Sequence, residues 1–472
     1  MLFKTEPWKH QLVALDFLKD KKAALLHMDM GTGKTKVVID AVQNHLSAVV
    51  PPLVLILCPK SVLPVWEVEF LKHCAARHTI YVLKQPWSVK RKTSYAKQIV
   101  AQHLRHPKSP TILALNYEAA IHEPFKTWSA GVEWDCIVLD ESHRIKAPFG
   151  KTSKYCSNLR KKSGRRICLT GTPIPHNGLD IFAQFRFLDP LIFGYSFTQF
   201  KSKYAIFGGY QNHEFQGMQN EDDLSLKMAK ITYQVKADDV LDLPDAHHIQ
   251  RPVYLSSKSR KIYDSMEDSF VTWARTGEQV SAANALVKLL RLQQITSGFL
   301  NDDTGKLSAV GSEKRDVLED VMKDLSPEEP LVVFCKFRYD IELVKASCKK
   351  LKRKCLELSG GNHQLKEWQD GKAPVLACQI QAGSVGVDMT RARFAIYYSL
   401  GFSLTDFDQS LARLRRPGAE GDKITYIHLV VDKTVDEKVY KALSDRKDAI
   451  NAILDEVRTK SVLWREYEQS KP

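Results

Sequence analysis

The segment Met30-Gly31-Thr32-Gly33-Lys34-Thr35 combines two glycines with a lysine and a hydroxyl. Glycines let main-chain N–H groups close around phosphate oxygens, a lysine there reaches the β- and γ-phosphates, and the following hydroxyl can join the shell of a Mg2+ ion. Gly31, Thr32, Gly33, Lys34 and Thr35 are therefore candidate nucleotide-binding residues, with Thr35 a candidate metal ligand. The full glycine-rich consensus asks for glycine at position 28, where Met28 stands. A second signal lies downstream. The apolar run Ile137-Val138-Leu139 leads into Asp140-Glu141-Ser142-His143. Paired carboxylates at a strand end suit nucleotide hydrolysis: Asp140 would hold Mg2+ through water, and Glu141 would orient and activate the attacking water. The third, Leu169-Thr170-Gly171-Thr172-Pro173, is a turn without catalytic chemistry of its own, suited to couple the site to something else.

These groups need a scaffold that brings strand ends together. Ala23-Ala24-Leu25-Leu26 reads as a strand ahead of the glycine turn, and residues 36–45 have helical spacing, so a helix N-terminus would face the phosphates. Short apolar runs at 53–58, 111–115, 136–139 and 167–170 alternate with longer helical stretches. The habit recurs at 331–334, 375–378, 394–398 and 424–430. This alternation predicts an α/β fold with parallel sheets in two tandem lobes, and 472 residues are too many for one ordinary core. The first lobe is expected over 1–240 and the second over 241–472, with a linker in 240–259 around Leu243-Pro244-Asp245. Residues 179–236 and 259–299 read as helical additions.

The chain carries a net charge of +14 and a pI of about 9.2, which favours a polyanionic partner. Acidic residues are absent between Phe70 and Tyr117, which holds Lys72, Arg77, Lys84, Lys90, Arg91, Lys92, Lys97, Arg105 and Lys108. They are absent again between Ser142 and Leu179. Either run could be a solvated face. The apolar runs are strand-sized, and neither a membrane span nor a signal peptide is expected. Nine scattered cysteines without a Cys-x-x-Cys pair argue against a disulfide framework or structural zinc, and for a reducing compartment.

In this order the three segments resemble motifs I, II and III of superfamily-two helicases, and Asp29-Met30-Gly31 resembles the lead-in of the Swi/Snf class more than that of DEAD-box RNA helicases. The resemblance then extends along nearly the whole chain. Gln11 resembles the glutamine that reads adenine. The stretch with Lys60 and Ser61, through Trp66 to Phe70, resembles motif Ia, and Asn116-Tyr117-Glu118 sits at a further backbone-contacting motif. Phe334-Cys335-Lys336-Phe337 resembles motif IV. Gln381-Ala382-Gly383-Ser384-Val385-Gly386-Val387-Asp388 resembles motif V, with Gly386 and Asp388 near the ATP ribose. Residues 409–418 resemble motif VI. On a helix Arg413 and Arg416 would share a face, and the resemblance makes them arginine fingers. Leu290-Arg291-Leu292-Gln293-Gln294-Ile295 is similar to a signature ahead of the second Swi/Snf lobe. The implied nucleic-acid contacts are Lys60, Ser61, Asn116, Tyr117, Thr170, Lys336, Gln381 and Ala382. Two departures stand out: Gln234-Val235-Lys236 replaces an Arg-Arg-Thr-Lys run, and motif VI ends Pro417-Gly418-Ala419.

The resemblance implies two RecA-like lobes, ATP and Mg2+ as cofactors, and a DNA-dependent ATPase that moves on double-stranded or branched DNA. It further implies a monomer with few appended modules, as in phage and bacterial enzymes, working in the cytoplasm or, in a eukaryote, the nucleus, with a recruiting protein as a further partner. The rivals are a fork-remodelling or annealing enzyme, an RNA helicase, and a non-motor ATP switch.

Overall fold

The computed structural model describes residues 1–46, 50–84, 86–208, 214–275, 282–301, 306–382, 387–419 and 421–469. The chain divides into two compact units, Met1–Leu241 with Arg446–Pro472, and Asp242–Asp445.

The first unit is built on a seven-stranded sheet. Its strands are β1 (Ala23–Met28), β2 (Leu53–Cys58), β3 (Thr79–Val82), β4 (Thr111–Asn116), β5 (Trp134–Asp140), β6 (Ser163–Thr170) and, after a small hairpin of β7 (Ala205–Gly208) and β8 (Glu214–Met218), β9 (Thr232–Val235). The sheet order is β3-β4-β2-β5-β6-β1-β9, and every pairing is parallel. All residues of β1, β2 and β4 are buried, which is why these segments read as unbroken apolar runs. The register sets His27 of β1 opposite Thr170 of β6, and Asp140 of β5 opposite Leu169. The glycine turn, the paired carboxylates and the Thr-Gly-Thr-Pro turn thus leave the sheet along one carboxyl edge, where open parallel sheets place their ligands.

Residues 179–236 are only partly helical. Helices Ile181–Leu188, Phe197–Tyr204 and Glu221–Ala229 are present, and the rings of Phe182, Phe193, Phe200 and Tyr204 pack together. The β7–β8 hairpin interrupts them, and β9 closes one edge of the main sheet. Four residues, Thr-Tyr-Gln-Val, are too short a run to show a period.

The second unit carries a six-stranded parallel sheet of β10 (Asp245–Val253), β13 (Leu331–Cys335), β14 (Cys355–Leu358), β15 (Val375–Gln379), β16 (Phe394–Tyr397) and β17 (Lys423–Val431), ordered β10-β17-β16-β13-β15-β14. A two-stranded hairpin of β11 (Phe299–Asn301) and β12 (Leu307–Ala309) accompanies it. Helices Glu313–Asp324 and Arg338–Lys350 cover a core that includes Leu318, Met322, Val333, Ile341, Val344 and Ile396. The expected linker is instead the nine-residue strand β10, paired along its length with β17. Eight of its nine residues are exposed. An exposed edge strand carries polar residues and even a proline, so hydropathy hid it.

The last helix, Val435–Gln469, begins in the second unit and continues in the first. There Asp455 pairs with Lys236, Arg458 with Asp239 (2.6 Å) and Lys460 with Asp222 (3.0 Å). The expected second lobe over 241–472 therefore loses its last 27 residues to the first unit, and residues 1–240 do not make up that unit alone. Among the described residues no helix is long and apolar enough to cross a membrane.

Candidate functional site

β1 ends at Met28, and the chain turns through Gly31 (φ 83°) and Gly33 (φ 80°) before helix Lys34–Ala41 begins. Both glycines occupy the left-handed region that other residues resist. A Cβ at Gly33 would collide with the Gln11 side chain. Gln11 is buried, its Nε2 donates to Thr32 O (3.1 Å), and its Oε1 accepts from Trp8 N (2.9 Å). His10 Nε2 lies 2.8 Å from the same carbonyl. Lys34 Nζ donates to Met28 O (2.6 Å) and Asp29 O (3.0 Å). The carboxylate of Asp29 accepts from Ala237 N (2.9 Å), which ties this turn to the segment after β9.

Asp140 ends β5, nearly buried. Its Oδ2 accepts from Trp66 Nε1 (3.0 Å), its Oδ1 from Glu141 N (3.0 Å), and its carbonyl from the Tyr117 hydroxyl (2.9 Å). Burial, then the neighbouring Glu141 charge, push its carboxyl up to about 7. Glu141 itself sits in left-handed backbone (φ 50°), and its Oε2 is 3.4 Å from His143 Nδ1. That histidine nitrogen is 3.2 Å from Thr170 Oγ1, which also accepts from Thr172 N (3.0 Å). A glycine-rich turn, a held carboxylate and a second carboxylate beside it can together grip a phosphate chain, hold a hard cation and orient water.

Some expected contact residues lie elsewhere. Lys60 and Ser61 are exposed. Asn116, Tyr117 and Thr170 are buried: Asn116 Nδ2 donates to Glu118 Oε2 (2.8 Å), Tyr117 supports Asp140, and Thr170 bonds within its own turn. The side-chain polar groups of these three residues are engaged within the unit, so a contact with nucleic acid at these positions would fall to the main chain.

In the second unit, Gly386 lies outside the described residues, as do 383–385. Gln381 is exposed and Ala382 half-buried. The exposed Asp388 accepts from Thr390 N (2.9 Å) and Thr390 Oγ1 (2.7 Å). Arg413 is buried on helix Leu404–Leu414, with Nη1 directed at Val387 O (3.4 Å). Arg416 lies beyond that helix, so the expected shared helical face is not formed: Arg415 leaves the helix at ψ 88°. Arg416 Nε returns to Ala412 O (2.8 Å), and Asp388 is the charge that most favours its ionised form against burial. Lys336 Nζ donates to Gln293 Oε1, and burial pulls its ammonium down to about 8.

Gln184 and His27 carry no signal in the sequence, and His143 entered only as the last residue of the Asp140-Glu141-Ser142-His143 segment. Gln184 joins Ser142 to Pro173. His27 is buried beside the glycine turn, and burial lowers it to about 4. Trp66 entered through the motif Ia resemblance, and the fold adds that its buried indole N–H donates to Asp140.

The SNF2-related domain model matches residues 10–298 and the helicase conserved C-terminal domain model matches 313–418. The chain is 25% identical to protein p41 of Acyrthosiphon pisum secondary endosymbiont phage 1, over 97% of this chain and 99% of that protein. It is 22% identical to the CHD3-type chromatin-remodeling factor PICKLE of Arabidopsis thaliana, over 96% of this chain but only 34% of that protein. Among solved structures, the Sulfolobus solfataricus SWI2/SNF2 ATPase core in complex with dsDNA aligns over 97% of this chain and 94% of that one, at 20% identity and a TM-score of 0.43. With the SNF2-related match alone spanning more than half of its residues, the chain belongs to the SNF2 family of helicase-type ATPases and is an ATP-hydrolysing enzyme.

Proposed function

We propose that the chain is a DNA-dependent ATPase that translocates on double-stranded DNA. The observation that carries this reading is the shared carboxyl edge of β1, β5 and β6 in an SNF2-family chain: it sets the phosphate-type turn, the carboxylate pair and the Thr-Gly-Thr-Pro turn side by side. Lys34 and the N–H groups of the 31–35 turn take the phosphates, and Gln11 and Asp388 take the base and ribose. Thr35 and Asp140 supply hard oxygen donors of the kind Mg2+ prefers. Burial and the Glu141 charge raise the Asp140 carboxyl, and a dication held there would oppose both by favouring the ionised form. Mg2+ supplies charge neutralisation on the phosphates. Glu141 orients the water, and Arg413 and Arg416 offset charge on the transferring phosphoryl group.

The exposed Lys60 and Ser61, together with the acid-free basic stretches, suit a phosphate backbone rather than base edges. Several curated relatives are named chromatin-remodeling factors, which favours duplex DNA over RNA. ATPase rates with duplex DNA, single strands and RNA test the reading. Duplex should stimulate most, increasingly with length up to a plateau, and a triplex-forming third strand should be displaced in an ATP-dependent way while the duplex stays paired. Strongest stimulation by RNA with no displacement would overturn it.

A further inference from the structure

Gln184 lies on helix Ile181–Leu188, outside the three segments that carry the chemistry, and is fully buried. Its Nε2 donates to Pro173 O (2.7 Å) and to Asp180 O (3.3 Å), and its Oε1 accepts from Ser142 Oγ (2.7 Å). The chemistry of the partners fixes the amide orientation. Pro173 has no N–H, and both carbonyls can only accept, so the amino end must face them. The oxygen is left for Ser142, whose hydroxyl must then be the donor. One neutral side chain thereby joins the residue after Glu141 to the last residue of the Thr-Gly-Thr-Pro turn.

That junction is where the backbone most needs support. Glu141 is held at φ 50°, a conformation unfavourable for a residue with a side chain, which persists only when its surroundings over-determine it. Two further links join the same two stretches: His143 with Thr170 (3.2 Å) and Lys146 Nζ with His176 Nε2 (2.7 Å). Of the three, the Gln184 link lies deepest and adjoins Glu141 most closely in sequence.

We propose that Gln184 is a positioning residue for ATP hydrolysis: it locks the Glu141 turn to the Thr-Gly-Thr-Pro turn, so the two move as one body and the Glu141 carboxylate is held where it can orient water. This rests on the assignment of Glu141 above, and not on which nucleic acid the chain tracks.

The test measures kcat and KM for ATP in wild type, Gln184→Leu, Gln184→Glu and Glu141→Gln, from about pH 6 to about pH 8.5. Folding is checked by circular dichroism and Tm. Gln184→Leu removes both links and should lower kcat ~10-fold or more with KM within about twofold, since misplacement of a catalytic group by about 1 Å can cost ~100-fold. Adding Ser142→Ala to it should cost nothing further, because both changes break one link. Gln184→Glu supplies the distinguishing readout. A neutral carboxylic acid has one O–H for Pro173 and one carbonyl for Ser142, whereas a carboxylate has no donor. Burial against two carbonyls raises its pKa. Its kcat should therefore approach wild type at the acid end and fall toward Gln184→Leu at the alkaline end. A Gln184→Leu protein with wild-type kcat would overturn the proposal, and so would a Gln184→Glu profile parallel to wild type, which marks a merely structural role. If Glu141→Gln turns over normally, the site assignment fails and takes this inference with it. If Glu141→Gln is inactive while both Gln184 variants match wild type, this inference alone fails.

Discussion

Asp140 in the first unit ends the central strand β5, and Asp340 in the second lies in the helix that follows the central strand β13; both are buried carboxyls pushed upward by burial, to about 7 and about 6. Their surroundings separate them. Asp340 sits in the first turn of helix Arg338–Lys350, where its Oδ2 accepts from Phe337 N (3.0 Å) and from the Ser399 hydroxyl. Ser399 Oγ in turn accepts from Lys336 N (2.7 Å), so this carboxyl joins the ends of β13 and β16. In the first unit the corresponding work between β5 and β6 falls to a neutral amide, Gln184, together with His143 and Thr170. Asp140 is steadied by one donor on each oxygen and has a second carboxylate beside it. The two sheets thus treat a buried carboxyl differently: in the second unit it is taken up by internal support, and in the first the support falls to a neutral amide while two carboxyls stand side by side at the strand end.

The sharpest way to break this contrast is to remove charge on each side. Glu141→Gln should lower kcat ~10²–10⁴-fold, the range for a group that handles a proton in the transition state, with nucleotide binding retained in an equilibrium titration. Lys34→Ala should lower kcat/KM by ~100-fold through lost phosphate stabilisation, read in steady-state kinetics. The pH profile comes next. In the proposed site only an ionised Asp140 would hold the cation, directly or through water, so kcat/KM at limiting Mg2+ should fall as pH drops through about 7, and raising Mg2+ should move that limb to lower pH.

The smallest effect belongs to the second unit. Asp340→Asn keeps an oxygen for Phe337 N and Ser399, so ATP turnover should change by less than about twofold. Its signature is thermodynamic. The folded-state carboxyl is raised, so its contribution to stability is fully present below the unfolded value near 3.8 and is lost as pH rises through about 6. The Tm of wild type relative to Asp340→Asn should therefore decline across that window, by ~2–4 °C for each kcal/mol lost. A flat difference would remove Asp340 from the comparison.

The fold class was legible because buried parallel strands are unbroken apolar runs, and the run at 53–58 coincides with β2. β10 escaped because an exposed edge strand has no reason to be apolar, and β9 because four residues show no period. In the site, Gly33 and Lys34 were legible since phosphate chemistry restricts residue type, as were the adjacent carboxylates at 140 and 141. Gln184 was not. A glutamine within Ile-Phe-Ala-Gln-Phe-Arg looks like any polar residue on a helix until the carbonyl of Pro173 is seen beside it. Tyr117 shows the converse: the motif resemblance implies a nucleic-acid contact, and the fold adds a role the motif does not carry, its hydroxyl donating to the Asp140 carbonyl.

The route of the last helix bears on the order in which the molecule can be made. The first unit takes in Met1–Leu241 and then residues from Arg446 onward, while Asp242–Asp445 lies wholly between them in the chain. During synthesis, at roughly 5–20 residues per second, the second unit is finished before the first. Lys236, Asp239 and Asp222 emerge early and wait for Asp455, Arg458 and Lys460, a delay of some 200 residues and on the order of ten seconds or more at that pace. A ribosome stalled near residue 445 would have added every residue of the second unit and none of the first unit's segment from Arg446 onward.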